Sequence, residues 1–168
     1  MIDLSSVRPR GSTLLVGIDG AGGSGKSTLA ATLSDKVVAT DDFITAPWEW
    51  YDFERLRGEV LTPLLSGEPA HYRRMDWSSG ELAEWHVVKP GGVVVVEGVG
   101  ALAVQLRDAY DYRVWVETPR EICFRRGLER DGPESLPLWE AWAEKEHRYW
   151  NEQRPQNTAD VIVDGAGG

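Results

Sequence analysis

Cysteine is almost missing from this chain: Cys123 is the one thiol in 168 residues. No disulfide can form within the chain, and a reducing cytoplasm is the expected setting. Long apolar runs are missing too. No stretch approaches the length that a bilayer-spanning helix needs, so no membrane partner is expected. Residues 1–11 show no apolar core followed by a small-residue cleavage site, which argues against a secretion signal. Cations are in the minority, with 18 Lys+Arg against 27 Asp+Glu and a net charge of -9. That balance argues against nucleic acid as a partner. A nucleotide remains compatible with it, since its site needs only a few local cations. The three histidines, His71, His86 and His147, share no metal-ligand spacing with Cys123, so a zinc site is not expected.

What is present alternates in period. Leu14 to Asp19 (LLVGID) and Gly92 to Gly98 (GVVVVEG) are short, nearly all-apolar runs of the kind buried on both faces of a parallel sheet. Lys36–Thr40, Tyr112–Glu117 and Ala159–Val163 read as further strands. Helical spacing marks Ser27–Asp35, the stretch from Phe53 to Leu64, and a last helix carrying Trp139, Trp142, Glu146, Tyr149 and Trp150. Thr118-Pro119-Arg120-Glu121 reads as a capping box that opens a helix reaching about Asp131. The expected fold is α/β: one domain over 1–168, a parallel sheet with helices on both faces, and a loose segment at 1–12.

Between the first strand and the first helix lies Gly20-Ala21-Gly22-Gly23-Ser24-Gly25-Lys26-Ser27, a full match to G-x-x-x-x-G-K-[ST], with Thr28 next in the helix. Glycines let successive N–H groups point inward at phosphate oxygens, and the helix N-terminus adds partial positive charge. Lys26 would reach the β- and γ-phosphates and the Ser27 hydroxyl would ligate Mg²⁺. ATP and Mg²⁺ are therefore the expected cofactors.

Other residues can be placed around that loop. Asp41 and Asp42 follow the second strand, at the edge where ligands bind in open α/β sheets. Either can act as a base or hold Mg²⁺ through water, or can serve only as a turn or cap. Glu97 follows four valines, where a carboxylate needs a cation, either a metal or a basic side chain. Arg126 and Arg130 share a helix face, which suits a lid over a transferring phosphoryl group and equally an exposed charged surface. Trp48, Trp50, Tyr51 and Trp77 can stack a ring or pack a loop, and Glu49 and Asp52 can bind a diol. The stripe of Trp139, Trp142 and Trp150 reads as core.

The ordered set IDGAGGSGKSTLA, Asp41-Asp42-Phe43, Asp76-Trp77, Val96-Glu97-Gly98, Arg125-Arg126 to Arg130-Asp131 and Ala159-Asp160-Val161-Ile162-Val163 resembles uridine kinase-like P-loop kinases, a group near nicotinamide riboside kinases and phosphoribulokinases. The resemblance covers nearly the whole chain. It implies transfer of the γ-phosphate of ATP to the hydroxyl of a small-molecule acceptor, first of all a nucleoside. It also implies Asp41 as the base and Glu97 in a metal- or substrate-linked role. Departures fall on the acceptor side. Met75 stands for a tyrosine, Ile44 for another tyrosine, and Ser78-Ser79-Gly80 where a histidine is usual. Gly132-Pro133-Glu134-Ser135 replaces further lid arginines, so Arg148 or Arg154 is a candidate substitute. Nicotinamide riboside, a sugar, a pantothenate-like alcohol, an antibiotic hydroxyl and a non-kinase regulatory NTPase stay open as alternatives, as does a homo-oligomeric state.

Overall fold

The computed structural model describes residues 2–46 and 48–167. Among the described residues, five strands form one parallel sheet in the order β2-β5-β1-β6-β7. They are β1 (Thr13–Gly20), β2 (Val37–Ala39), β5 (Gly92–Glu97), β6 (Tyr112–Glu117) and β7 (Val161–Asp164). β1 is buried along its whole length, as the centre of such a sheet must be. Alternation of side chains sends Leu15, Val94 and Val96 to one core and Leu14, Val16, Ile18 and Val95 to the other. The first core also takes the helical run at 53–65, in which α2 (Phe53–Leu56) and α3 (Thr62–Leu65) are joined by a π-helical turn, Arg57–Leu61. α1 (Lys26–Leu33) covers the second, through Ala30, Leu29 and Leu33.

At the level of local structure, one element goes unread in the sequence and one expectation needs correcting. A β-hairpin of β3 (Ala70–Met75) and β4 (Leu82–Val88) forms a separate antiparallel sheet that sequence periodicity did not reveal. Its strands carry charges on both faces (Arg73, Arg74, Glu84), which hides the alternation. The capping box at Thr118 does not form. α4 (Arg120–Asp131) has Pro119 at its cap and no side-chain capping bond. The Thr118 hydroxyl instead donates to the Ser24 carbonyl of the phosphate loop at 3.0 Å.

α4 turns through Gly132 and a 3₁₀ turn (Pro133–Ser135) into α5 (Leu136–Gln153), which runs back over the sheet. Residues 2–12 form no helix or strand, yet they are attached. Ile2, Leu4 and Val7 pack on the second core, and Arg10 pairs with Asp111 at 3.0 Å. Among the described residues no helix is long and apolar enough to cross a membrane.

Candidate functional site

The carboxyl ends of β1, β2 and β5 meet at a cleft of about 490 Å³ lined by Gly22, Gly23, Lys26, Ser27, Asp41 and Glu97 on one side and by aromatic residues on the other. The loop between β1 and α1 needs its glycines. Gly23 has φ +79°, and a Cβ there would lie 2.5 Å from the Cys123 carbonyl oxygen in α4. Lys26 is buried, its Nζ donating to the Ala21 carbonyl at 2.6 Å, so its charge is folded over the loop it serves. Gly22 N–H donates to Glu146 Oε1 at 2.9 Å. A backbone amide of this loop thus already meets an anionic group, as expected of a phosphate cradle.

Ser27 and Glu97, 70 residues apart in sequence, are hydrogen-bonded at 2.9 Å, with the serine hydroxyl donating. Burial raises the Glu97 carboxyl, Lys26 and Ser27 pull it down, and Asp41 and Asp42 push it up again. A hydroxyl and a carboxylate beside a phosphate loop form the hard-oxygen pair that suits Mg²⁺. Gly98 (φ +138°) ends this strand because nothing larger fits: a Cβ would lie 1.9 Å from Thr40 Oγ1.

Asp41 and Asp42 lie in a 3₁₀ turn, Thr40–Phe43, directly after β2. They diverge. Asp41 lines the cleft and accepts the Tyr51 hydroxyl at 3.2 Å. Asp42 accepts the Tyr72 hydroxyl of the hairpin at 3.2 Å, and burial raises its carboxyl.

The far wall is aromatic. Trp48 and Trp77 stack with centroids 5.2 Å apart, and Trp77 Nε1 donates to the Asp41 carbonyl at 3.0 Å. Trp48 holds φ +65°, a costly conformation for a bulky residue. Lys145 of α5 anchors its loop by donating to the Trp48 and Glu49 carbonyls at 3.0 and 2.8 Å. Trp139, expected in the core, lines the cleft; Trp142 lines it too while packing on the first core, and Trp150 packs on that core as expected. The helical stripe is real, but α5 lies across the mouth of the site, so one face of it serves both core and cleft.

The arginines separate. Arg130 reaches the cleft, where it forms a two-point pair with Asp131 at 2.8 and 3.0 Å. Arg126 turns to the back of the phosphate loop and donates to the Gly165 carbonyl at 2.9 Å and the Gly23 carbonyl at 3.4 Å. Glu49 and Asp52 line a different cavity together with Arg148. There the Asp52 carboxylate caps α2, accepting Arg55 N–H at 3.0 Å. Arg154 is exposed at the end of α5, away from the cleft.

Some residues of the site gave little signal in the sequence. Asp19 is fully buried and accepts N–H bonds from Gly20, Gly100 and Leu102 and the Tyr149 hydroxyl. Burial raises its carboxyl in spite of these donors. Its one signal was a charge ending an apolar strand. Glu146 and Lys145 sit in a helix rich in charges, where no spacing sets them apart.

No protein-family model matches the chain. Among curated proteins it is similar to the uridine kinase of Halobacterium salinarum, 29% identical over 139 residues, which covers 69% of this chain and 61% of that protein. It is 28% identical over 145 residues to the uridine kinase of Shewanella frigidimarina, covering 70% and 68%. The match therefore spans somewhat under two thirds of the Halobacterium protein's length. In fold it resembles the structure of a possible uridine kinase from Bacillus stearothermophilus, with a TM-score of 0.69 at 22% identity, covering 94% of this chain and 91% of the other. A candidate fructose transport system kinase from Silicibacter sp. TM1040 gives a TM-score of 0.64 at 25% identity over 76% of each chain. In its phosphate loop, its five-stranded parallel sheet and these relatives, the chain is similar to the uridine kinase-like P-loop kinases.

Proposed function

We propose that the chain transfers the γ-phosphate of ATP to a hydroxyl of a small ring-bearing molecule, a nucleoside first of all. The observation that carries this reading is the convergence of the phosphate loop, the Ser27–Glu97 pair and Asp41 on one cleft with an aromatic far wall. In this reading Lys26 and the loop amides hold the phosphates, and Ser27 and Glu97 take Mg²⁺, which supplies charge neutralisation. Asp41 accepts the proton of the acceptor hydroxyl as its oxygen bonds to phosphorus and the bond to the departing ADP oxygen breaks. Arg130, at the mouth, exchanges Asp131 for phosphoryl oxygens. Arg126 acts through the loop it braces. Trp77 and its neighbours supply flat faces for a ring.

A second reading keeps the chemistry and makes the acceptor a sugar, supported by the likeness to the fructose-system kinase structure. ADP release measured with ATP·Mg²⁺ across nucleosides, sugars and vitamin-like alcohols separates the two. The nucleoside reading expects the highest kcat/KM with a ring-bearing nucleoside. A preference for an acyclic alcohol would overturn the role given to the tryptophans.

A further inference from the structure

The phosphate loop of this chain already holds a carboxylate of its own. Glu146 lies midway along α5, is 5% exposed, and accepts the Gly22 N–H at 2.9 Å. Its helix is docked at the next turn, where the Tyr149 hydroxyl donates to Asp19 Oδ2 at 2.7 Å. Asp19 is in turn fixed by three backbone N–H groups, that of Gly20 at the end of β1 and those of Gly100 and Leu102 in the loop after β5. Glu146 is thereby held at the loop by a rigid scaffold.

Lys26 of α1 is the cation beside it, and Asp19 of β1 and Asp41 of the turn after β2 add negative charge. Tyr51 and Cys123 face it from the aromatic loop and from α4. On α5 itself, Lys145 is spent on two carbonyls and His147 is exposed. Burial is the largest influence on the Glu146 carboxyl and pushes it up to about 7, against the smaller pull of the Gly22 amide and Lys26.

We propose that Glu146 couples nucleotide binding to a proton: it holds the Gly22 amide as a carboxylate and becomes neutral when a triphosphate enters the loop. This rests on the nucleotide reading above. A triphosphate brings several negative charges to the loop and draws Lys26 to itself. Added like charge and a withdrawn cation both favour the neutral carboxyl. The neutral group still offers its carbonyl oxygen to Gly22 N–H and gains an O–H donor, so the loop keeps its shape while a repulsive charge is removed. The proton comes from solvent. Glu146 is a positioning residue in this account, acting through the loop.

The test is calorimetric titration with ATP·Mg²⁺, without acceptor, in two buffers of different ionisation enthalpy. At pH 7.5 wild type should take up a clear fraction of a proton per nucleotide, and its Kd should rise roughly several-fold between pH 7.5 and 8.5. Glu146→Gln keeps the amide acceptor and cannot titrate. It should bind without that proton and with a nearly flat pH profile. Infrared difference spectra of wild type give a second readout that needs no variant: a protonated-carboxyl band should grow on adding nucleotide. No linked proton in wild type, or the same proton count in Glu146→Gln, would overturn the inference. So would a variant weakened equally at every pH with its proton count unchanged. Failure to bind ATP·Mg²⁺ at all would overturn the nucleotide reading with it, whereas binding without a proton would overturn this inference alone.

Discussion

The two sides of the cleft are built in different ways. The phosphate side is one contiguous stretch, 20–27, between a buried strand and a helix, and most of its chemistry is backbone. The acceptor side is assembled from a 3₁₀ turn, the aromatic loop around Trp48, the tip of a hairpin and one face of α5. A backbone cradle fixes its ligand by shape alone, so it demands glycines at set positions. An assembled wall can accept many side chains, so its ligand is set by what happens to converge there. The first side therefore points to a phosphate-bearing ligand, and the second supports only the proposal of a flat acceptor.

The sharpest way to break this comparison is at Lys26. Lys26→Ala should abolish phosphoryl transfer and weaken ATP·Mg²⁺ binding, with the fold retained by circular dichroism. Normal turnover in the folded variant would remove the phosphate side from the account. Next comes the pair Asp41 and Asp42, compared at saturating ATP. Asp41→Asn should lose at least about a hundredfold in kcat while binding ATP normally. Asp42→Asn should lose far less, since its carboxylate is held by Tyr72 outside the cleft. An inverted order would assign the base to the wrong carboxylate.

Arg130→Ala should lower kcat more than it raises KM for ATP, because a mouth cation acts mainly on charge that develops in the transition state. An effect confined to KM would make Arg130 a ground-state contact. On the acceptor side, Trp77→Ala should raise the acceptor KM by roughly tenfold, the size of one aromatic stacking contact. Trp77→Phe should recover part of it, and equal KM values for all three proteins would dismiss the stacking role.

The smallest effect expected is on stability. Glu146 has a folded-state pKa above its unfolded value, so the folded protein binds the extra proton, and the burden of the buried charge grows as pH rises from about 4.5 to about 7. Glu146→Gln should therefore raise Tm at pH 8 and change it little at pH 4.5. A gain of the same size at both pH values would point to packing and not charge.

How much of this was legible in the sequence follows the same division. The β1–loop–α1 unit, the four-valine strand and the final strand could be read because each is local: period, glycine pattern and motif lie within about ten residues of one another. Glu97 could be placed because a charge after four valines requires a cation, and Lys26 is the cation that acts on it, while the hydrogen bond from the Ser27 hydroxyl was not foreseen. Long-range geometry could not be read. Thr118 looked like a helix cap and instead bonds the phosphate loop. Trp139 looked like core because a helical stripe does not say which part of it overhangs a cleft. Asp52 looked like a diol ligand and is a helix cap. Glu146 and Asp19 reach the loop through α5 and a buried hydrogen-bond cluster that no spacing announces.

The central claim is that this cleft moves a phosphoryl group to a hydroxyl and does not simply hydrolyse ATP. The most direct measurement follows the label from γ-phosphate-labelled ATP·Mg²⁺ with wild-type protein and the best acceptor from the panel. The account predicts label on the acceptor hydroxyl in step with ADP formed, dependent on acceptor, and lost in Lys26→Ala. Label released as inorganic phosphate at a rate indifferent to acceptor would contradict it.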